Sequence, residues 1–390
     1  MRRLRVLQLG KYYPPEKGGI ERVVATLCLG ENALVESSAL VCNKGRKTTV
    51  EQVGGVTVRR VGSVATVGAV TLAPALPFWL ARATADVVML HEPNPMALLA
   101  YALAQPRGTL VVWFHSEVIR PRWQYRFFYE PLLALVCRRA RRIVVSSPRL
   151  MEAAALEPHR DKCRVVPLGI PVERYGLTAP AAAEVERRRR EARRPVVLFV
   201  GRLVGYKGVD VLLRALQGLD AGLVVVGDGP RRAALEAQAR ELGLGGQVRF
   251  AGEISDEELL IWYYACDLLA LPSLTRQETF GMVQLEAMLC GRPVVSADVG
   301  TGVAWVNQHE RTGLVVPPGD VAALHAALAR LIGDGDLRHR LGAQARARVL
   351  ETFTAEKMCR ATVALYREVT GVHERAVVEA PAGLGTVETT

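Results

Sequence analysis

The sequence predicts an α/β protein built from two Rossmann-like, doubly wound domains that face each other across a cleft. Three observations lead there. Short β-branched and aliphatic runs alternate with helical segments from the first residues onward. That alternation breaks once, near residues 171–195, and then restarts. A chain of 390 residues, half of them hydrophobic, is also long enough for two separate cores.

Each element follows from its local pattern. Leu4-Arg-Val-Leu-Gln-Leu, Val87-Val-Met-Leu, Leu110-Val-Val-Trp-Phe and Ile143-Val-Val-Ser read as strands buried on both faces of a parallel sheet. Ile20–Leu29 and Met96–Ala104 read as helices between them. Residues 176–194 are rich in Ala and Arg and interrupt the pattern. Strands resume with Pro195-Val-Val-Leu-Phe-Val-Gly201, Leu223-Val-Val-Val-Gly227, Val248-Arg-Phe-Ala-Gly252, Leu268-Leu-Ala-Leu-Pro272 and Val294-Val-Ser. Val209–Leu219 and Arg231–Leu242 are helices of this second half. The expected divisions are a first domain over 1–170, a linker over 171–195 and a second domain over 196–354. A last helix over 355–372 and a disordered tail over 373–390 complete the chain.

Charge is uneven. Residues 1–175 hold 25 Lys and Arg against 13 Asp and Glu, whereas residues 176–390 hold 25 against 26. The excess of +11 therefore belongs to the first half, which is expected to face something anionic. Nucleic acid and an anionic membrane are the two usual candidates; no helix-turn-helix, zinc-finger or RRM pattern supports the first. Seven Cys without a C-x-x-C pair point to free, buried thiols in a reducing compartment. The apolar run near Met1 is too short for a signal peptide. The uncharged stretch Val61–Ala81 contains Gly62, Gly68, Pro74 and Pro77, which argue for a strand, a loop and a helix start instead of a spanning helix.

Ligands of open parallel sheets bind at the carboxyl ends of strands, so the segments there are the candidate site. Glu278-Thr-Phe-Gly-Met-Val-Gln-Leu-Glu286 follows one strand and opens a helix near Phe280-Gly281. A helix N-terminus presents unpaired N–H groups and positive partial charge. The amides of Gly281, Met282 and Val283 would hold a diphosphate. Glu286, roughly 7.5 Å further along, would reach a ribose, and Glu278 would accept hydroxyls of a sugar. Two Glu eight residues apart are equally accounted for by a cap and a surface charge, and only their context favours a site. Arg202 and Lys207 in Gly201-Arg-Leu-Val-Gly-Tyr-Lys-Gly208 suit a pyrophosphate. Gly18-Gly19, before the first helix, permits close backbone approach from the opposite domain. His115 ends a strand, where a hydrogen bond to a substrate hydroxyl and a structural role are equally open. Gly227-Asp-Gly-Pro230 reads as a βα turn, and Asp334-Gly-Asp336 lies away from strand ends and is not expected to bind metal.

Together these segments carry a resemblance. Gly201-Arg202…Lys207-Gly208, Gly227-Asp-Gly-Pro, Leu271-Pro-Ser, Glu278-x-Phe-Gly-Met-Val-x-Leu-Glu286, Gly291-Arg-Pro-Val-Val and Gly313-Leu-Val-Val-Pro-Pro-Gly-Asp320 resemble the donor domain of GT-B-fold, family 4 retaining glycosyltransferases. Tyr13-Pro-Pro…Gly18-Gly19-Ile-Glu21, His91-Glu-Pro-Asn-Pro95, His115-Ser and Val165-Val-Pro-Leu-Gly-Ile170 are similar in the first half. One departure is Thr279, where this motif often has Gly. The resemblance implies a metal-independent transferase without a cofactor, moving a hexosyl group from a nucleoside-diphosphate sugar to a lipid-linked or glycan acceptor. Arg202 and Lys207 would neutralise the diphosphate, Glu278 would bind the donor sugar and Glu286 the ribose. Gly19 and the amides after Phe280 would touch the phosphates, and His115 would assist at the sugar. The His91 segment and Arg120–Leu133 are similar to mannosyl- and rhamnosyl-type transferases of surface-polysaccharide assembly, which favours GDP-mannose over a UDP-sugar. A GT-B-fold nucleotide-sugar epimerase is the alternative enzyme. Arg120, Arg122, Trp123 and Arg126, followed by Arg138, Arg139, Arg141 and Arg142, suit a headgroup interface, so a cytoplasmic enzyme peripheral on the inner face of the cell membrane is expected.

Overall fold

The computed structural model describes residues 2–16, 18–68, 70–118 and 125–372. The expectations for Arg120, Arg122, Trp123 and the tail 373–390 lie outside the described residues.

Among the described residues, ten strands belong to the first half. They are β1 (Arg5–Leu9), β2 (Glu36–Cys42), β3 (Thr49–Val53), β4 (Val56–Val61), β5 (Ala65–Val67), β6 (Val70–Leu72), β7 (Val87–Glu92), β8 (Thr109–Phe114), β9 (Arg142–Val145) and β10 (Cys163–Val165). Eight of them form one sheet in the order β10-β9-β8-β7-β1-β2-β4-β3, and β5 and β6 make a separate antiparallel pair. The sheet is parallel except for the β3–β4 edge. Six strands follow: β11 (Val196–Val200), β12 (Gly222–Val226), β13 (Val248–Gly252), β14 (Leu268–Leu271), β15 (Val294–Ala297) and β16 (Gly313–Val316). They form a parallel sheet in the order β13-β12-β11-β14-β15-β16.

Both sheets have a point where the strand order reverses. In the first it lies between β1 and β7, in the second between β11 and β14. A reversal sends the following connections to opposite faces and leaves a crevice at the strands' carboxyl ends. The segments after β11 and β14 are those that carry Arg202 to Lys207 and Ser273 to Glu278.

Two differences from the sequence expectation have physical causes. The segment 171–195, expected as a linker, contains the helix Ala179–Glu191. That helix buries little, only Ala181 and Val185, and is charged along most of its length. It is laced by Glu184–Arg188 and Arg187–Glu191 pairs one turn apart. The last helix, Ala355–Thr370, packs on the first domain: the Tyr366 hydroxyl meets Gln8, and Glu368 pairs with Arg142 at 2.5 Å. The chain thus crosses between domains twice, at Ile170 and at Thr354, and the crossings hydrogen-bond as an isolated bridge. A Cβ on Gly169 would lie 2.2 Å from the Thr354 carbonyl oxygen, so only glycine fits there.

All seven cysteines are free and buried. Among the described residues, no helix is long and apolar enough to cross a membrane.

Candidate active site

The second domain supplies a charged cluster at its reversal point. Lys207 ends the turn Gly205–Lys207 after β11, and Glu278 follows β14. Lys207 Nζ donates to Glu278 Oε2 at 2.5 Å, and the Ser273 hydroxyl donates to the same oxygen at 3.0 Å. Thr301 Oγ1 donates to the Glu278 carbonyl at 2.6 Å, which fixes the loop. Burial works against the Lys207 charge, but the Glu278 carboxylate and the Tyr206 phenol outweigh it and hold the ammonium above its usual range. Gly208 lets this turn pack on the next: its φ is +69°, and a Cβ would lie 2.1 Å from the Pro272 carbonyl. Arg202 is exposed and has no ion pair or side-chain hydrogen bond among the described residues. Its guanidinium is therefore available to an anion.

The expected helix runs over Met282–Leu289, with Gly281 as its N-cap at φ +70°. A Cβ at Gly281 would sit 2.6 Å from Leu271 Cδ2. The left-handed cap turns the chain so that the amides of Met282 and Val283 are free of helical partners. Phe280 enters the site only through its backbone. Its ring is buried, edge-on to Phe353 at 5.9 Å and tilted to Trp305 at 6.3 Å. It anchors the loop and does not offer a side chain to a ligand.

Glu286 lies one turn up the helix and is buried. The Tyr263 hydroxyl donates to its Oε2 at 2.5 Å, and Arg22 of the first domain reaches Oε1 at 3.1 Å. Burial pushes the Glu286 carboxyl up, against the pull of Arg22 and the two tyrosine hydroxyls of Tyr263 and Tyr175. Arg22 also lies 3.6 Å from Asp256. These groups border an interdomain cavity of about 540 Å³ that Tyr175 and Met282 also line.

The first domain closes over this cluster. His115 follows β8 and is 6% exposed. Its Nε2 lies 2.9 Å from His91 Nδ1, and burial followed by His91 pushes it well below the usual imidazole range. Two residues on, Glu117 pairs at 2.8 Å with Arg276, two residues before Glu278, so the loops bearing His115 and Glu278 are tied together. Arg149 and Asp298 form a further cross-domain pair at 2.8 Å. Gly19 begins the helix Gly19–Glu31, and a Cβ there would meet nothing within 4 Å. At Gly18 a Cβ would lie 1.9 Å from a Glu21 carboxylate oxygen, because that side chain folds back over the helix start.

Sequence reasoning missed Arg22, Glu117, Tyr263, Arg276 and Thr301. Each is an ordinary residue in sequence and gains its place only through a contact across the fold, so no local signal marks it. Gly227-Asp-Gly-Pro230 is a turn packed on Leu203, whose N–H donates to the Asp228 carbonyl at 2.9 Å. Asp334 caps the helix Gly335–Thr352, accepting from the Leu337 amide at 2.8 Å.

Known proteins match this arrangement. The family described as Glycosyltransferase Family 4 matches residues 17–174, and that described as Glycosyl transferases group 1 matches residues 182–348. A D-rhamnosyltransferase of Pseudomonas aeruginosa is 36% identical, over 90% of this chain and 93% of that protein. The chain belongs to the family 4 glycosyltransferases. An O-antigen chain mannosyltransferase of Escherichia coli is 30% identical to it over 93% of this chain and 98% of that protein. The glycosyltransferase also superposes on a sucrose-phosphate synthase from Thermosynechococcus elongatus with a TM-score of 0.80 at 24% identity, covering 95% of this chain and all of that one. That likeness concerns the fold, which is GT-B.

Proposed function

We propose that this glycosyltransferase transfers a hexosyl group, of the mannose type, from a nucleoside-diphosphate sugar to a lipid-linked or glycan acceptor hydroxyl, with retention at the anomeric carbon. The observation that carries the reading is the Lys207–Glu278 pair at the mouth of the Gly281-capped helix, with Arg202 free beside it. Transfer builds negative charge on the departing diphosphate while the sugar becomes oxocarbenium-like. Preorganised positive groups stabilise that charge with little reorganisation. Arg202, Lys207 and the amides of Met282 and Val283 supply them, so the reaction is proposed to proceed without a metal or cofactor. Glu278, already oriented by Ser273 and Lys207, accepts hydroxyls of the donor sugar. Gly18 and Gly19 face the phosphates from the first domain. His115 assists at the sugar. Glu286 faces the interdomain cavity and binds the ribose.

Mannose-type transfer is favoured by the rhamnosyl- and mannosyltransferase names of the two relatives, and a GDP-linked donor over a UDP-sugar by the name of a GDP-mannose-dependent mannosyltransferase of Mycobacterium tuberculosis, 35% identical over 46% of this chain. The test is incubation with GDP-mannose and a membrane extract of lipid-linked saccharides. A new α-linked product supports the reading, because the donor is α-linked; a β-linked product contradicts retention.

The first domain is proposed to dock on the anionic inner face of the cell membrane. Phe127 and Phe128 are 69% and 65% exposed next to Arg126, and Phe78 is exposed beneath Arg82, 3.7 Å from its ring centroid. Exposed rings beside cations suit a headgroup layer. Flotation with anionic vesicles should show salt-sensitive binding that Phe127→Ser with Phe128→Ser weakens. Equal recovery with neutral vesicles would contradict it.

A further inference from the structure

His115 stands at the top of a buried polar diagonal that crosses three neighbouring strands. Gln8 of β1 lies level with Met89 of β7, two residues before His91. His91 lies level with Trp113 of β8, two residues before His115. Side chains two apart on a strand share a face. Gln8, His91 and His115 therefore lie on one face and step toward the cleft, and all three are buried.

Hydrogen bonds join every step. Gln8 Oε1 is 2.8 Å from His91 Nε2, and His91 Nδ1 is 2.9 Å from His115 Nε2. The two imidazoles are within 13° of parallel, and the Trp113 ring is parallel to both within 17°. At the lower end Gln8 Nε2 donates to the Tyr366 hydroxyl at 2.9 Å and to a Glu31 carboxyl oxygen at 3.4 Å.

The donors and acceptors set a direction. The Tyr366 phenolic oxygen and Glu31 Oε2 both accept from the Gln8 amide nitrogen. The Gln8 carbonyl is then turned to His91 and takes the Nε2–H. His91 Nδ1 keeps its lone pair and accepts the Nε2–H of His115. What remains on His115 is Nδ1, which has no protein hydrogen-bond partner among the described residues.

We infer that Gln8 and His91 are positioning residues for the transfer reaction: they hold His115 as its neutral Nε2–H tautomer, so that Nδ1 accepts a hydrogen bond from a hydroxyl of the transferred sugar. The inference rests on the placement of His115 at the donor sugar. An imidazole free to exchange tautomers would present Nδ1–H part of the time, and the sugar hydroxyl would then have to accept instead of donate. The Tyr366 end adds a structural link, since the helix that returns from the second domain orients the amide on which the chain of bonds depends. Burial supports the neutral forms, pushing His91 down to about 3.

Long-range ¹⁵N–¹H correlation spectra of the histidine-labelled full chain at pH 7 read the tautomers, with His91→Asn and His115→Ala providing assignments. The expected result is Nε2–H at both His91 and His115. An Nδ1–H form or an imidazolium at His115 in the wild type overturns the proposal without any variant. Gln8→Leu should lose the pure Nε2–H signature at His115 and lower kcat for GDP-mannose turnover about 10- to 100-fold with donor KM unchanged. Tyr366→Phe should move both readouts in the same direction and by less. Wild-type kcat with an unchanged tautomer in folded Gln8→Leu, or in Tyr366→Phe should the first not fold, overturns the positioning role. Wild-type kcat in His115→Ala instead overturns the placement of His115 at the sugar, and the proposal with it.

Discussion

Lys207 and Glu278 hold each other at the strand ends, which sets what each would do for a donor. On the proposed reading, this buried ammonium, kept charged by a carboxylate, would shift its hydrogen bonds to a diphosphate when one arrives. Lys207→Ala should lower kcat/KM by at least ~100-fold, the scale of losing one transition-state charge donor; steady-state kinetics within threefold of wild type would refute the role. Glu286→Ala should mainly weaken nucleotide affinity, seen by calorimetry as a higher Kd with little change in kcat. Glu92 offers a test away from the chemistry. It is buried, accepts from the Tyr129 hydroxyl at 2.6 Å and the Asn94 amide at 2.9 Å, and burial pushes it up to about 7. The folded state therefore binds the proton more tightly than the unfolded one. This contribution to stability is present below pH ~4.5 and is lost as pH rises through about 7, at no more than ~1.4 kcal/mol per pH unit. Glu92→Gln should flatten the pH dependence of urea unfolding in that window. Most proposed donor contacts were legible in the sequence, because each lies just after a strand in a family motif. Arg22, Arg276 and Glu117 were not, because an ordinary Arg or Glu carries no local mark of the cross-domain pair it will make.

At the scale of elements, legibility followed burial. The parallel strands β8, β11, β12 and β14 are apolar runs covered on both faces, as are β1 and β7 apart from Arg5, Gln8, His91 and Glu92, and their sequences say so. The edge strand β3, Thr49-Val-Glu-Gln-Val, is largely exposed and polar, so nothing distinguished it from a loop. The helix Ala179–Glu191 was hidden for a related reason: it is held by charge pairs along its surface and only a thin apolar stripe. One element is more sharply specified than its sequence implied. Gly281 must adopt φ +70° while passing 2.6 Å from where Leu271 would meet a Cβ. Gly281→Ala should cost about 1–3 kcal/mol in chemical unfolding. It should also reduce nucleotide binding, since the amides of Met282 and Val283 would be displaced. An unchanged midpoint would contradict the constraint.

The whole molecule is two sheets with facing reversal points, joined by paired crossings at Ile170 and Thr354 and drawn together by Arg22–Glu286, Glu117–Arg276 and Arg149–Asp298. Glu117–Arg276 and Arg149–Asp298 are partly exposed and individually worth ~0–1 kcal/mol, whereas Arg22–Glu286 has a buried carboxylate, so closure rests on a few contacts and a ligand that bridges both domains can bias it. The two-domain plan was legible from the single break in the strand–helix pattern. The return of the last helix to the first domain was not, because its docking depends on Tyr366 and Glu368 meeting partners more than 200 residues away. The central claim is that the cleft is a nucleotide-sugar donor site built on the second domain. Ligands that bind only the folded state raise its melting temperature. A thermal-shift panel of GDP, UDP, ADP and their sugars should therefore raise Tm for at least one nucleotide, GDP and GDP-mannose foremost, with the rise reduced in Lys207→Ala. No shift with any nucleotide at millimolar concentration would contradict the account.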